Sequence, residues 1–219
     1  MLDYSEYIKI FISLLAIVNP FGAIPLFISI TDNLSQRQTE ATIKQATAGV
    51  AAILLIVLFF GELLLTFFGI SIDSFRVGGG ILILLMAIAM LHAKTSNIRQ
   101  TDAEASESVD KESVAIVPLA IPMLAGPGAI STVILAAHKG SGLAHYGIIS
   151  LGILLLSLLI WLALHMAPWI SARLGKTGIN IFTRIMGLIL AAIAIEFIAN
   201  GFKGIFPVLA YVPNMPAPN

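Results

Sequence analysis

Asn19-Pro20-Phe21-Gly22-Ala23-Ile24-Pro25 lies inside an apolar stretch long enough to cross a bilayer, yet it cannot run as an uninterrupted helix. Each proline removes a backbone N–H and pushes against the carbonyl one turn earlier. Polar backbone is thereby released where lipid offers no hydrogen bond. Such a break persists only where protein or a polar cavity surrounds it. The second half of the chain repeats the interruption as Ala125-Gly126-Pro127-Gly128-Ala129-Ile130-Ser131. A matched pair of broken helices in two halves of one chain is the sequence pointer to a transporter's central binding site.

Composition agrees with a membrane setting. The chain is 58% hydrophobic and 11% charged, where a soluble domain averages about 25% charged residues. Mean hydropathy is +0.97. The absence of cysteine excludes disulfides, thiolate nucleophiles and cysteine metal sites, and a formal net charge of zero argues against nucleic acid as a partner. The first ten residues carry Asp3 and Glu6 and no small-residue cleavage site follows, so they read as the start of a span and not as a removed signal.

A span needs roughly 20 apolar residues, and six segments qualify: about 7–31, 46–68, 74–93, 114–137, 146–169 and 180–202. The expected fold is an all-α membrane protein of six transmembrane helices, built as two inverted three-helix repeats with helices 1 and 4 broken. The first repeat covers 1–93 and the second 114–203. Between them, 94–113 is a charged cytoplasmic linker, and 204–219 is a tail too rich in proline for a further span. Inversion follows because each half holds an odd number of spans. The halves also match weakly: Gly22-Ala23-Ile24 with Gly128-Ala129-Ile130, Gly69 with Gly175, and Arg76 and Gly79 with Arg184 and Gly187. Basic residues favour the loops after spans one, three and five, among them Arg37, Lys44, Lys94, Arg99, Lys111, Arg173 and Lys176. That asymmetry places those loops in the cytoplasm and both termini outside a bacterial inner membrane.

Pro20, Pro25, Pro118, Pro122 and Pro127 concentrate in spans one and four. At a break, a helix N-terminus presents free amides to an anion and a helix C-terminus presents carbonyls to a cation. Two opposed breaks can hold both ends of a zwitterion. Gly22, Gly126 and Gly128 lack a Cβ and let a ligand approach the backbone. Asn19 adds an amide that donates and accepts, and Ser131 and Thr132 add hydroxyls. The plain structural alternative is kinked helices with glycine at their crossings.

Glu196 follows Arg184 by roughly 18 Å of helix, deep enough to suggest a coupling proton. Its repeat counterpart is Ile88, so the symmetric design does not require it, and an interfacial Glu near the outer end of the span is the competing reading. Arg76 and Arg184 open spans three and six on opposite faces, as interfacial anchors or as gating contacts. Glu62 reads as a snorkelling or capping residue near the outer rim. Gly78-Gly79-Gly80 reads as close helix packing, since no strand precedes it and no Lys-Ser/Thr follows. His92, His138, His145 and His165 lie near span ends without metal-ligand spacing. The spans hold no nucleophile and base set, so no enzyme, cofactor or metal is expected.

Asn19-Pro20-Phe21-Gly22-Ala23-Ile24-Pro25, Phe68 to Gly80, Val117 to Pro122 with Ala125 to Ile130, and Thr183 to Gly187 together resemble the MarC family of six-span inner-membrane proteins. Gly69 to Ser74 and Met166 to Trp169 resemble its YchE-type branch. The resemblance runs from about residue 8 to 206. It implies transport of small neutral amino acids such as glycine and alanine, with the site at the two proline breaks. With no ATP-binding motif in the chain, the energy source should be an ion gradient, with a proton as the expected coupling ion. The rival reading is a structural or regulatory membrane protein that moves no solute.

Overall fold

The computed structural model describes residues 2–32, 34–92 and 124–210. The linker 94–113, Pro118, Pro122 and the tail beyond Ala210 lie outside the described residues. Within them, every regular element is a helix. α1 (Tyr4–Val18) and α2 (Pro20–Thr31) form the first broken span. Asn19 separates them in the left-handed conformation, φ 46° and ψ 70°, which asparagine tolerates better than other residues with a side chain. Pro20 then starts α2 at the one helical position where its missing N–H costs nothing.

α3 (Gln36–Phe67) starts on a capping box in which Ser35 and Gln38 satisfy each other's backbone amides. It ends on a Schellman turn at Gly69, φ 66°, with Ile70 N–H donating to Leu65 O at 2.9 Å and Gly69 N–H to Thr66 O at 3.0 Å. α4 (Ile72–Leu91) follows, capped by Ser71. α5 (Pro127–His138), α6 (Leu143–His165) and α7 (Ala167–Ile205) complete the set, with a short 3₁₀ turn at Pro207–Ala210. Gly175, φ 62°, divides α7, so its membrane portion is Thr177–Ile205.

Among the described residues, five helices are long and apolar enough to cross a membrane: Tyr4–Ile28, Gln36–Phe67, Ile72–Leu91, Leu143–His165 and Thr177–Ile205. The expected fourth span, about 114–137, is described only from Leu124, and what is seen of it is the 12-residue α5. At roughly 18 Å such a helix cannot cross a core about 30 Å thick. It survives because protein surrounds it: Ser131 to Ala137 are all buried. The expected fifth span, about 146–169, stops earlier, at His165. Pro168 has no N–H for a continuing ladder, and Met166 becomes the junction from which α7 starts.

α4 and α7 pack antiparallel and approach each other's main chain closely at three glycines, beside the side chains of Val77, Met90 and Ile198. A Cβ on Gly80 would sit 3.0 Å from Ala194 O, one on Gly187 3.1 Å from Ala87 O, and one on Gly201 2.9 Å from Asp73 O. Gly187, Ala194 and Gly201 recur every two turns and present one small-residue face to Gly80 and Ala87. In lipid, where apolar burial drives little, close approach of this kind is the main source of helix association. The core proper, with Ile24, Phe27, Leu54, Ile83, Ile153, Leu156 and Ile160 almost fully buried, gathers around α2 and α5. Phe59, Phe60 and Leu63 on α3, Leu151 and Leu158 on α6 and Ile185 and Leu188 on α7 face outward as a lipid-compatible surface.

The two halves share dimensions. α2 and α5 are each 12 residues long, and each has proline in its first turn. α3 covers 36–67, the same length as 143–174, and each stretch stops at a glycine of positive φ, Gly69 or Gly175.

Candidate functional site

The two breaks lie together. Gly128, in the first turn of α5, packs so closely that a Cβ would be 3.0 Å from Ile17 Cγ2 and 2.9 Å from Ile83 Cγ1. Ile17 belongs to the last turn of α1, so the end of α1, just before the break at Asn19, packs on the first turn of α5. Of the first-turn amides, Gly22 N–H is taken by Asn19, and Pro20 and Pro127 have none, so Phe21 on α2 and Gly128 and Ala129 on α5 are left without intrahelical acceptors. Ala16 O at the end of α1 would pair with the amide of residue 20, but proline occupies that position, so a carbonyl is released beside the amides.

Asn19 is the polar centre of this region and is only 2% exposed. Its Oδ1 accepts from Gly22 N–H at 3.3 Å. Its Nδ2 is buried and has no hydrogen-bond partner. A buried donor left unmatched costs about 1–3 kcal/mol, so its presence needs an explanation other than stability. Pro20 is buried beside it, whereas Pro25 and Pro127 are exposed. Gly126, buried and extended at φ −65° and ψ 175°, precedes Pro127 as the N-cap of α5.

Some residues expected to admit a ligand admit protein instead. The space a Cβ would take at Gly22 is filled by the Asn19 side chain, and that at Gly128 by Ile17 and Ile83. Both glycines are needed for the turn and the helix contact, whatever else approaches them. Ser131 packs on Gly79 of α4, where a Cβ would come within 2.7 Å of its Oγ. Thr132 donates to Gly128 O at 2.8 Å and also borders a second space.

That space is a vestibule of about 650 Å³ at the end of the bundle where α1 begins. Ser13 and Thr132 line it with hydroxyls, and Glu6, Lys9, Arg76, Lys139 and Glu196 bring charge into it. Lys9 Nζ bonds Glu6 Oε1 at 2.8 Å, and Lys139 Nζ approaches Glu6 Oε2 at 3.6 Å. Arg76 Nη1 reaches Asp73 Oδ1 at 3.3 Å, and Asn200 Nδ2 donates to Glu196 Oε1 at 2.8 Å. Glu196 is exposed and lines this cavity, nine residues before the end of α7. Arg76 shares the vestibule with it. Arg184 does not: it is exposed on α7 more than three turns away.

His145 ties the elements around the vestibule. It is fully buried, with Nε2 3.0 Å from Ala136 O and Nδ1 2.9 Å from Tyr7 OH. A carbonyl only accepts, so Nε2 carries the proton and Nδ1 accepts from the tyrosine. His138 Nδ1 lies 2.7 Å from Glu62 Oε1, giving Glu62 a specific partner across α3 and α5. Among the described residues no group of three metal-ligating side chains occurs.

A multi-pass helical membrane protein, with short half-helices buried at its centre, is the class this architecture defines. The chain belongs to the MarC family: residues 4–206 match the model of MarC family integral membrane proteins. It is 46% identical to the UPF0056 membrane protein YhcE of Escherichia coli (strain K12), over 94% of this chain and 95% of the relative. It is 40% identical to YvbG of Bacillus subtilis (strain 168), over 94% and 98%. With MJ1677 of the archaeal Methanocaldococcus jannaschii it shares 39% over 93% and 98%. No solved structure matches the chain.

Proposed function

We propose that the protein is a secondary transporter of small neutral amino acids of the glycine and alanine class, coupled to protons and working by alternating access around the paired breaks. The observation that carries this reading is Asn19 Nδ2, a buried donor without a partner, placed at the start of α2 beside a released carbonyl, with the first turn of α5 packed on Ile17 of the preceding turn. The amides and Nδ2 suit a carboxylate, and the Ala16 carbonyl suits an ammonium. The crowding by Ile17 and Ile83 favours a compact solute. Equal half-helices and the Gly69 and Gly175 turns support two inverted three-helix repeats, with α5 as the outer half of a sixth span. The basic loops support a bacterial inner membrane with both termini outside.

Labelled glycine or alanine flux into proteoliposomes, with and without an imposed proton gradient, tests the proposal. Uptake that the gradient accelerates is the expected result. Gly126→Leu should abolish it while the purified protein stays folded and monodisperse. Absence of flux for every small neutral amino acid removes the transport reading and leaves the structural or regulatory one.

A further inference from the structure

We infer that the vestibule is a second binding site for a zwitterionic α-amino acid, in which Arg76 takes the carboxylate and Glu196 the ammonium. The inference deepens the transport reading by giving the solute a landing site outside the paired breaks, and in that respect it rests on it.

Most charges around the vestibule are already paired. Glu6 divides its two oxygens between Lys9 and Lys139. Glu196 faces the same cavity, and among the described residues it makes no ion pair; only the Asn200 amide holds it, fixing one oxygen and leaving the other to the cavity. Arg76 commits Nη1 to Asp73, whereas a guanidinium carries five N–H donors in a planar fork suited to a carboxylate. What remains open is one carboxylate oxygen and most of one guanidinium.

Their spacing fits a dipolar solute. Gly201 lies against Asp73 O and Val77 N, and Gly80 against Ala194 O. In that antiparallel register Arg76 lies near the level of Asn200 and Gly201 and Glu196 near that of Gly80 and Ile81, four to five residues or roughly 7 Å apart along the axis. The lining carries three cations, Lys9, Arg76 and Lys139, and two anions, Glu6 and Glu196; Asp73, paired with Arg76 from outside the lining, brings the set to neutral. A lone anion would meet Glu196, and a lone cation would meet Arg76. A solute carrying both charges satisfies each end. The cavity volume, about 650 Å³, falls in the range of small-molecule sites, roughly 300–1,000 Å³. Thr132, one turn after Gly128 on α5, is common to the cavity lining and to the helix that begins at the second break.

Equilibrium binding of radiolabelled alanine to the full chain in lipid nanodiscs tests this, using wild type, Glu196→Gln and Asn19→Gly. Glu196→Gln keeps an acceptor for Asn200 and should fold normally. The expected result is two alanine molecules per chain, with the outer one weakened at least about 10-fold by Glu196→Gln, the loss of one charged hydrogen bond, and the inner one removed by Asn19→Gly. Binding unchanged in number and affinity by Glu196→Gln overturns the vestibule site, and leaves the transport reading standing where Asn19→Gly still removes a molecule. Binding sensitive to Glu196→Gln alone keeps the vestibule and removes the inner site. No alanine binding removes both. An independent arm uses the cysteine-free background: Ser13→Cys should be shielded from a membrane-impermeant thiol reagent by alanine, and not by ethylamine or propionate at equal concentration. Equal shielding by all three overturns recognition of both charges.

Discussion

Replacing Asn19 with glycine separates the two tasks of its side chain. The first is structural. Glycine adopts the left-handed conformation at φ 46° without strain, and exchanging an asparagine cap for glycine costs only a few tenths of a kcal/mol. Against that loss, the exchange deletes Nδ2, whose unmatched burial costs about 1–3 kcal/mol. The balance is a protein as stable as wild type or more stable by up to about 2 kcal/mol, a rise of a few degrees in Tm for a chain of this size. The second task is the proposed contact with a carboxylate. Losing one hydrogen bond to a charged group is worth about 1.5–3 kcal/mol, or roughly 10- to 150-fold in affinity. Thermal unfolding in detergent followed by tryptophan fluorescence, beside flux in proteoliposomes, reads both. A fall in Tm that tracks the fall in flux would show that Asn19 is a structural cap. A raised Tm with wild-type flux would refute the assignment of Nδ2 to the solute.

Three other outcomes follow from named contacts. Gly187→Leu places carbon against Ala87 O and Leu91 N, which are main chain and cannot yield, so it should lower stability by about 1–3 kcal/mol or more. Gly78→Ala meets nothing within 4 Å and should raise it by about 0.5–1 kcal/mol; similar effects from the two in thermal unfolding would contradict the α4–α7 register. Tyr7→Phe strands the buried Nδ1 of His145 and should cost about 1–3 kcal/mol; this cost should vanish in a His145→Leu background, and persistence there would mean the hydroxyl has another role. For orientation, a single cysteine at Leu143, 95% exposed, should react with an impermeant thiol reagent from the periplasmic side, and one at Arg37 only after the cells are opened. The reverse pattern would invert the topology.

The breaks were legible because proline and glycine act locally: Pro20 and Pro127 fix helix starts whatever packs around them. The Gly69 turn and the apolar spans were readable on the same grounds. The junction at Met166 was less so, since an apolar run continues through Pro168 and hydropathy does not register a lost N–H. Glycine was ambiguous in a different way. An absent Cβ at Gly22 or Gly128 looks the same in sequence whether a ligand, Asn19 or Ile83 uses the space. Nor could Asn19 be seen as a half-satisfied cap, because its unmatched Nδ2 depends on what surrounds it. The vestibule was illegible altogether. Glu6 and Lys9 are spaced as a helical pair, but their convergence with Arg76, Lys139 and Glu196 comes from four separate parts of the chain. Burial of His145 likewise depends on α1 and α5 closing over it.

Main chain lies close to main chain at three glycines along α4 and α7. Two rods joined in this way have little cushion of rotamers to rearrange, and parting them forfeits the whole contact in a medium that gives little back. They can slide or roll by small amounts, as in shear motions, but they travel as one shaft. Any rearrangement of the bundle therefore has to carry α4 and α7 together.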